Sequence, residues 1–301
     1  MAQTFHHSLP VIPPYDGPQI IDHLAFRALP AVETVDNGVW QRSLRLPDGA
    51  PAVITVGWAA ETTALQISLT SADTTPVTER DWTAVLGSVS RVFDTATDPR
   101  HIRCVLEQDL RLAPLLKRFP GLRIPGLWDP FEAMMRAMLG QQVTVRAART
   151  LGARLVERCG DTLPDALKTD QVTRLFPTPA AVAAADLTAF GMPGRRISAL
   201  QALAARVAED PSCLTPAATL DETSDRLCAL PGIGPWTAHY VALRYHRFAD
   251  AFPAADIGLL RAMEEDGVRP TPATLRARAE RWRPWRAYAA QLLWTSDAGS
   301  L

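Results

Sequence analysis

Two short segments near the carboxyl end carry the residues best suited to chemistry. Leu230-Pro231-Gly232-Ile233-Gly234-Pro235-Trp236-Thr237-Ala238 lies between two helical patterns. Gly232 and Gly234 permit positive φ and leave no side chain over the bend, Ile233 can plug it into a core, and Pro235 suits a first helical turn. The product is a row of outward-facing backbone N–H groups, drawn from Gly232, Ile233, Gly234 and Thr237. Such a row binds a phosphate without reading sequence. A dinucleotide fingerprint is excluded, because the third glycine is missing, the preceding pattern is a helix, and Trp236 stands where a helix must lie close to a sheet. A helix–turn–helix corner with no ligand is the plain alternative. Twenty-two residues beyond Gly234, Asp256 is a lone carboxylate in the apolar run Phe252 to Leu260, at the expected start of a helix. Capping and catalysis are compatible there, since a helix N-terminus orients a carboxylate and favours negative charge. Beside a phosphate-gripping bend, that carboxylate can stabilise positive charge developing on a sugar.

These segments sit in a chain of 301 residues that is 47% apolar and 21% charged, with a net charge of −1. That length supports two compact domains or one large one. No apolar run reaches membrane-spanning length, and Met1 to Pro10 lacks the pattern of a secretion signal, so the expected location is cytoplasmic. Cys104, Cys159, Cys213 and Cys228 form neither a zinc nor an iron–sulfur pattern, and no cofactor is expected. Charge is uneven: residues 1–100 carry 6 basic and 11 acidic side chains, residues 101–301 carry 25 and 21. Arg276, Arg278, Arg281, Arg283 and Arg286 face only Glu280, a run that reads either as a phosphate-binding patch or as a solvated helix face.

The elements that must position the two segments fall into an α+β arrangement. Asp16 to Ala28 reads as a short helix. Alternation predicts strands over Val39–Leu46, Ala52–Trp58 and Ala64–Leu69, and helices follow near Glu79–Phe93 and Pro99–Leu106. His6 and His7 fall in an amino end expected to be loose. Beyond a Gly/Pro-punctuated connector at 121–129 every segment is helical in pattern, giving an amino-terminal α+β domain over 1–118 and a helical region over 119–301 with the bend at 230–238. Thr271-Pro272 is a good helix start. His239 and His246 read as satisfied boundary histidines.

With these residues in place, the chain resembles the helix-hairpin-helix family of base-excision DNA glycosylases, in its 3-methyladenine DNA glycosylase II branch. The resemblance rests on the 230–238 bend, on Asp256, and on Ala279 to Ala289 (AERWRPWRAYA) followed by Trp294. Arg136-Ala137-Met138-Leu139-Gly140-Gln141, Phe176-Pro177-Thr178-Pro179, Gly191-Met192-Pro193, Pro13-Pro14-Tyr15-Asp16 and Val32-Glu33-Thr34-Val35 extend it over nearly the full chain. It implies an antiparallel-sheet domain like half of a TATA-binding protein, then an all-helical, two-lobed region with a base pocket between the lobes.

The implied chemistry is hydrolysis of the N-glycosidic bond of alkylated bases of the 3-methyladenine and 7-methylguanine type, flipped out of duplex DNA. Asp256 would stabilise the oxocarbenium-like sugar and orient or activate water. Trp236 and Tyr240, four apart on one helix face, and Trp294 would line the pocket, with core packing as each ring's alternative. Trp236 occupies the position where strand-nicking relatives carry a Schiff-base lysine, and the only lysines are Lys117 and Lys168, so no β-lyase activity is expected. Two departures bear on breadth. The wedge that fills the hole left by the base falls on Gln141 or Gln142 rather than an apolar residue, and pocket aromatics of the first helix are replaced by Gln19 and His23. The resemblance also implies a monovalent cation held by bend carbonyls. Damaged double-stranded DNA is the expected partner, bound by a monomer. The competing readings are a catalytically silent damage-binding protein and a helical scaffold with no role on DNA.

Overall fold

The structure, a computed structural model, describes residues 2–72 and 77–298. The amino-terminal part is a five-stranded antiparallel sheet of order β1-β5-β4-β3-β2, built from β1 (Ala2–Pro10), β2 (Glu33–Asp36), β3 (Val39–Arg45), β4 (Pro51–Ala59) and β5 (Ala64–Ala72). Trp40 and Leu44 of β3, Ile54 and Val56 of β4, and Leu65, Ile67 and Leu69 of β5 form a buried apolar face. α1 (Gly17–Arg27) and α2 (Glu79–Phe93) cover it through Ile20, Ile21, Leu24, Val85 and Val89. Asp16 caps α1 by accepting from the Gln19 amide at 3.0 Å, and Thr78 and Asp81 form a reciprocal capping box on α2.

The amino end departs from expectation. It forms β1, an edge strand paired with β5 from Ala2↔Ala72 to Pro10↔Ala64. Both of its faces are largely exposed, so it shows no clean alternation in sequence, and cross-strand contacts such as Thr4 to Thr70 and His6 to Ser68 accompany its ladder.

Two helical lobes follow. α5 (Pro130–Leu139), α6 (Val145–Cys159), α7 (Pro179–Ala184), α8 (Gly194–Glu209) and α9 (Leu220–Cys228) gather around Met134, Leu155, Leu203 and Leu227. The other lobe unites α3 (Pro99–Leu106) and α4 (Ala113–Arg118) with α11 (Ile257–Ala262), α12 (Pro272–Ala279) and α13 (Arg286–Ala298), around Leu106, Leu112, Leu259, Trp282 and Leu293. Residues 99–118 therefore pack with the carboxyl-terminal helices and not against the sheet. α10 (Pro235–Arg244) stands between the lobes, turning Ala238 and Val241 into the first core and Ala242 and Leu243 into the second. Trp282 is fully buried and donates to Asp109 at 2.9 Å, a structural role. Among the described residues no helix is long and apolar enough to cross a membrane.

Buried charges tie the sheet to the lobes. Arg42 of β3 meets Glu132 of α5 at 2.7 Å, and Arg136, one turn on, is held by Glu132 at 3.3 Å and by Glu33 of β2. Burial opposes a charge on Glu132, but Arg42 and Arg136 outweigh it and hold the carboxyl below its ordinary range. The basic run near the end is largely neutralised. Arg278 meets Asp109 and Glu265, Arg283 meets Asp250 and Glu280, and Arg286, only 7% exposed, meets the same two acids. The carboxylate partners come from distant or intervening segments that a local charge tally does not weigh, so Arg278, Arg283 and Arg286 are not bare phosphate-binding charges, while Arg276 and Arg281 are exposed.

Candidate active site

The bend at 230–238 links α9 to α10. Gly232 has φ +75°, and a Cβ there would lie 2.8 Å from Met138 Cε and 3.0 Å from the Ala199 Cβ, so glycine is required on two counts. Gly234 is extended at φ −108° and caps α10, and a Cβ there would meet nothing within 4 Å. Its glycine leaves outward space rather than relieving internal crowding. Ile233 is buried with the α5–α9 core. The amides of Gly234, Trp236 and Thr237 have no backbone acceptor among the described residues, as a helix start requires. The row expected from sequence is shorter in the structure, because the Ile233 amide is taken by the Leu230 carbonyl at 3.2 Å and Thr237 is a buried residue. We expect Gly232→Ala to destabilise the fold by about 1–3 kcal/mol, through strain and overpacking. Gly234→Glu should leave the unfolding midpoint nearly unchanged while weakening DNA binding about tenfold. Thermal unfolding and titration with duplex DNA check both.

Thr237 is 2% exposed, and its hydroxyl lies 3.1 Å from Gln141 Nε2, which also donates to the Gly232 carbonyl at 3.1 Å. Gln141 is thereby tied to the bend. Gln142, exposed and at φ +59°, is the residue presented at the tip of the α5–α6 loop. Gly232 O accepts from Gln141 and Leu230 O from the Ile233 amide, so each keeps one lone pair for a monovalent cation of the kind the resemblance implies.

Asp256 caps α11. Its Oδ1 accepts from the Leu259 amide at 3.1 Å and from Trp294 Nε1 at 2.8 Å, and its Oδ2 accepts from Trp236 Nε1 at 3.0 Å. Three donors from three helices hold one half-buried carboxylate in a fixed orientation, with lone-pair capacity to spare. Gly258 makes this possible, since a Cβ there would lie 3.1 Å from Oδ1 and 3.2 Å from Trp294 Cδ1. Trp236 stacks on Tyr240 with ring centres 5.3 Å apart and planes within 13°.

Asp256, Trp236, Tyr240 and Trp294 border one cavity of about 450 Å³, within the range of roughly 300–1,000 Å³ common for small-molecule sites. Both lobes and the end of α1 contribute to it. Gln19 and His23 are not among its lining residues; α1 presents Phe26 and Arg27 instead. His23 lies one turn behind, its Nδ1 3.3 Å from Arg27 Nη1, and burial plus the neighbouring Arg27, Arg244 and Arg136 keep its imidazole neutral. The arginines of the wall, Arg27, Arg136, Arg149, Arg244 and Arg261, are not picked out by a pattern of aromatic pocket residues. A signal for Arg244 exists: positions 236, 240 and 244 recur at the spacing of one helix face. Among the described residues no group of His, Cys, Asp and Glu is arranged to hold a metal ion. Lys117 is exposed on α4 and Lys168 pairs with Asp165 at 2.5 Å; neither lines the cavity.

Comparison with known proteins agrees with this architecture. Residues 6–129 match the AlkA N-terminal domain, and residues 135–287 match the HhH-GPD superfamily of base excision DNA repair proteins. The chain is 37% identical to DNA-3-methyladenine glycosylase 2 of Escherichia coli K12, over 95% of each chain. It is 34% identical, over 98% of its own length, to the probable bifunctional transcriptional activator/DNA repair enzyme AlkA of Mycobacterium tuberculosis, and spans 58% of that protein. The solved 3-methyladenine DNA-glycosylase of Archaeoglobus fulgidus superposes with a TM-score of 0.81 at 23% identity, over 98% of both chains, which establishes the shared fold. By its matched domains and its relatives, the chain belongs to the HhH-GPD superfamily of base excision DNA repair proteins, in the AlkA/3-methyladenine glycosylase II family.

Proposed function

We propose that the protein is a monofunctional DNA glycosylase that hydrolyses the N-glycosidic bond of alkylated bases turned out of duplex DNA. The observation that carries this reading is the Asp256 carboxylate, fixed by two indoles and a helix amide on the wall of a cavity large enough for a base. Its membership of a base-excision family and its likeness to 3-methyladenine glycosylases support the same choice of substrate.

The amides at the start of α10 receive a backbone phosphate. Trp236, Tyr240 and Trp294 provide aromatic surface for the extruded base. Gln142 fills the space the base vacates, a role its exposed loop-tip position suits better than that of the tethered Gln141. In 3-methyladenine and 7-methylguanine the base is cationic, so it leaves as a neutral molecule. The electron pair of the C1′–N bond goes to the base, positive charge grows on the sugar, and Asp256 stabilises that charge while orienting the water that adds to C1′. Because the indole donors fix the carboxylate in advance, little reorganisation is needed as charge develops.

Among the described residues no lysine lines the cavity where a Schiff base with the sugar could form, which supports the absence of lyase chemistry. The purified protein should release methylated bases from duplex DNA, and the strand should break only after alkali. Strand scission without alkali, trapped as a borohydride adduct, would contradict the monofunctional assignment.

A further inference from the structure

Two cations on the cavity wall have no part in the steps above. Arg27, in the last turn of α1, and Arg244, in the last turn of α10, both line the cavity, and neither has a carboxylate partner among the described residues. Two neighbours on the same wall differ, since Arg136 is held by Glu33 and Glu132 and Arg261 by Asp297; a third, Arg149, donates from Nε to the Ala28 carbonyl at 2.9 Å. Arg244 is 3% exposed. Its guanidinium lies 4.9 Å from the Trp294 ring centre and 5.7 Å from that of Tyr240, its Nη1 donates to the Pro125 carbonyl at 2.9 Å, and its Nε has no hydrogen-bond partner. Burial pulls Arg244 down to about 10, which leaves it protonated at neutral pH. Arg27 meets only the neutral His23 and the face of Phe26, and the Tyr240 phenol lies against both guanidiniums. A pocket for cationic bases thus carries three arginines without a carboxylate partner among the described residues, and of these Arg149 already spends its Nε on the Ala28 carbonyl.

Like charges disfavour a cationic base, whereas a carbonyl oxygen gains from a guanidinium donor. From this juxtaposition we infer that Arg27, backed by Arg244, is a specificity-determining residue that favours bases carrying an exocyclic carbonyl oxygen over amino bases. The inference rests on the glycosylase reading of the same cavity. For a neutral oxopurine the C1′–N bond breaks with its electron pair going to the base, which departs as an anion with charge spread onto the carbonyl oxygen. The guanidinium donates to that oxygen. Water bonds to C1′, and the proton it loses returns through solvent to the departed base, so the products are neutral. 3-Methyladenine has no such oxygen and carries positive charge before the bond breaks. 7-Methylguanine has both the charge and the oxygen and falls between. Undamaged guanine carries the same oxygen but is protected by its stable, stacked pair.

The test is single-turnover release of hypoxanthine from a synthetic duplex, and of 7-methylguanine and 3-methyladenine from methylated DNA, by the wild type, Arg27→Gln and Arg27→Lys. For Arg27→Gln, hypoxanthine release should fall about ten- to a hundredfold, the cost of a lost charged hydrogen bond. 3-Methyladenine release should rise severalfold, and 7-methylguanine should fall less than hypoxanthine. Arg27→Lys should keep more hypoxanthine activity than Arg27→Gln. The ratio of two bases released by one preparation does not depend on the fraction folded. An unchanged ratio, or equal loss for all three bases, overturns the inference. A wild type that releases methylated bases but no hypoxanthine overturns it while leaving the glycosylase reading intact. A wild type that releases no base removes both.

Discussion

Asp256→Asn should lower the rate of base release by about 10²–10³-fold or more, the scale seen when a preorganised electrostatic group is removed from a transition state. Affinity for duplex containing an abasic-site analogue should change little. The substitution is nearly isosteric, and asparagine caps helices as well as aspartate does, so α11 keeps its start. The Leu259 amide retains an acceptor. The two indoles do not fare equally, because they donate to different oxygens of the carboxylate. An amide offers one oxygen and one NH₂; with the oxygen kept at the Oδ1 place for the Leu259 amide and Trp294, Trp236 faces the NH₂ and loses its bond, at a cost of about 1–3 kcal/mol. That loss would shift the unfolding midpoint modestly and would not explain a rate loss of this size. Release at the wild-type rate would remove Asp256 from the mechanism. A wild type as inactive as the variant, yet able to bind abasic duplex, would favour the catalytically silent reading.

The largest effect on stability should come from the buried charges that join sheet to lobe. Glu132 is 1% exposed and Arg42 3%. Removing the carboxylate in Glu132→Ala leaves the buried Arg42 guanidinium with only the longer Glu33 contact at 3.9 Å, takes one of two partners from Arg136, and should cost about 3–5 kcal/mol. Replacing both members, as in Arg42→Met with Glu132→Leu, should recover much of that loss, because neither charge is then left uncompensated. Urea unfolding of the two single variants and the double variant measures this coupling. Arg136 also lines the cavity, so Glu132→Ala should slow base release in the fraction that stays folded. If the double variant is as unstable as the sum of the singles, the residues are not acting as a pair.

Much of this architecture is legible in the chain, for reasons that differ between elements. β3, β4 and β5 show period-two patterning because one face of the sheet is buried under α1 and α2. β1 hides from the same reading because an edge strand exposed on both faces has no alternation to show. α10 is legible from its bend, since Gly232 must adopt φ +75° and Pro235 opens the helix. The carboxylate of Asp256 is legible as a cap, but its clamp by Trp236 and Trp294 joins residues 20 and 38 positions away and depends on packing between three helices. Arg27 and Arg244 look in sequence like ordinary helix-terminal cations, and their lack of acidic partners emerges only once every neighbouring carboxylate is placed. At 276–286 the sequence leaves a phosphate patch and a solvated face both open, and the structure pairs Arg278, Arg283 and Arg286 with acids such as Asp109 and Asp250 that lie far away in the chain or outside the run.

The claim that a fixed carboxylate stabilises a cationic sugar is tested most directly with two duplexes that differ by one charge. One carries a protonated pyrrolidine at the abasic position, the other its neutral tetrahydrofuran counterpart. The wild type should bind the cationic duplex about a hundredfold or more tightly than the neutral one, as expected for a mimic of the transition state, and Asp256→Asn should erase most of that preference. Equal affinity for the two duplexes in the wild type, or a preference that survives in Asp256→Asn, would contradict the account.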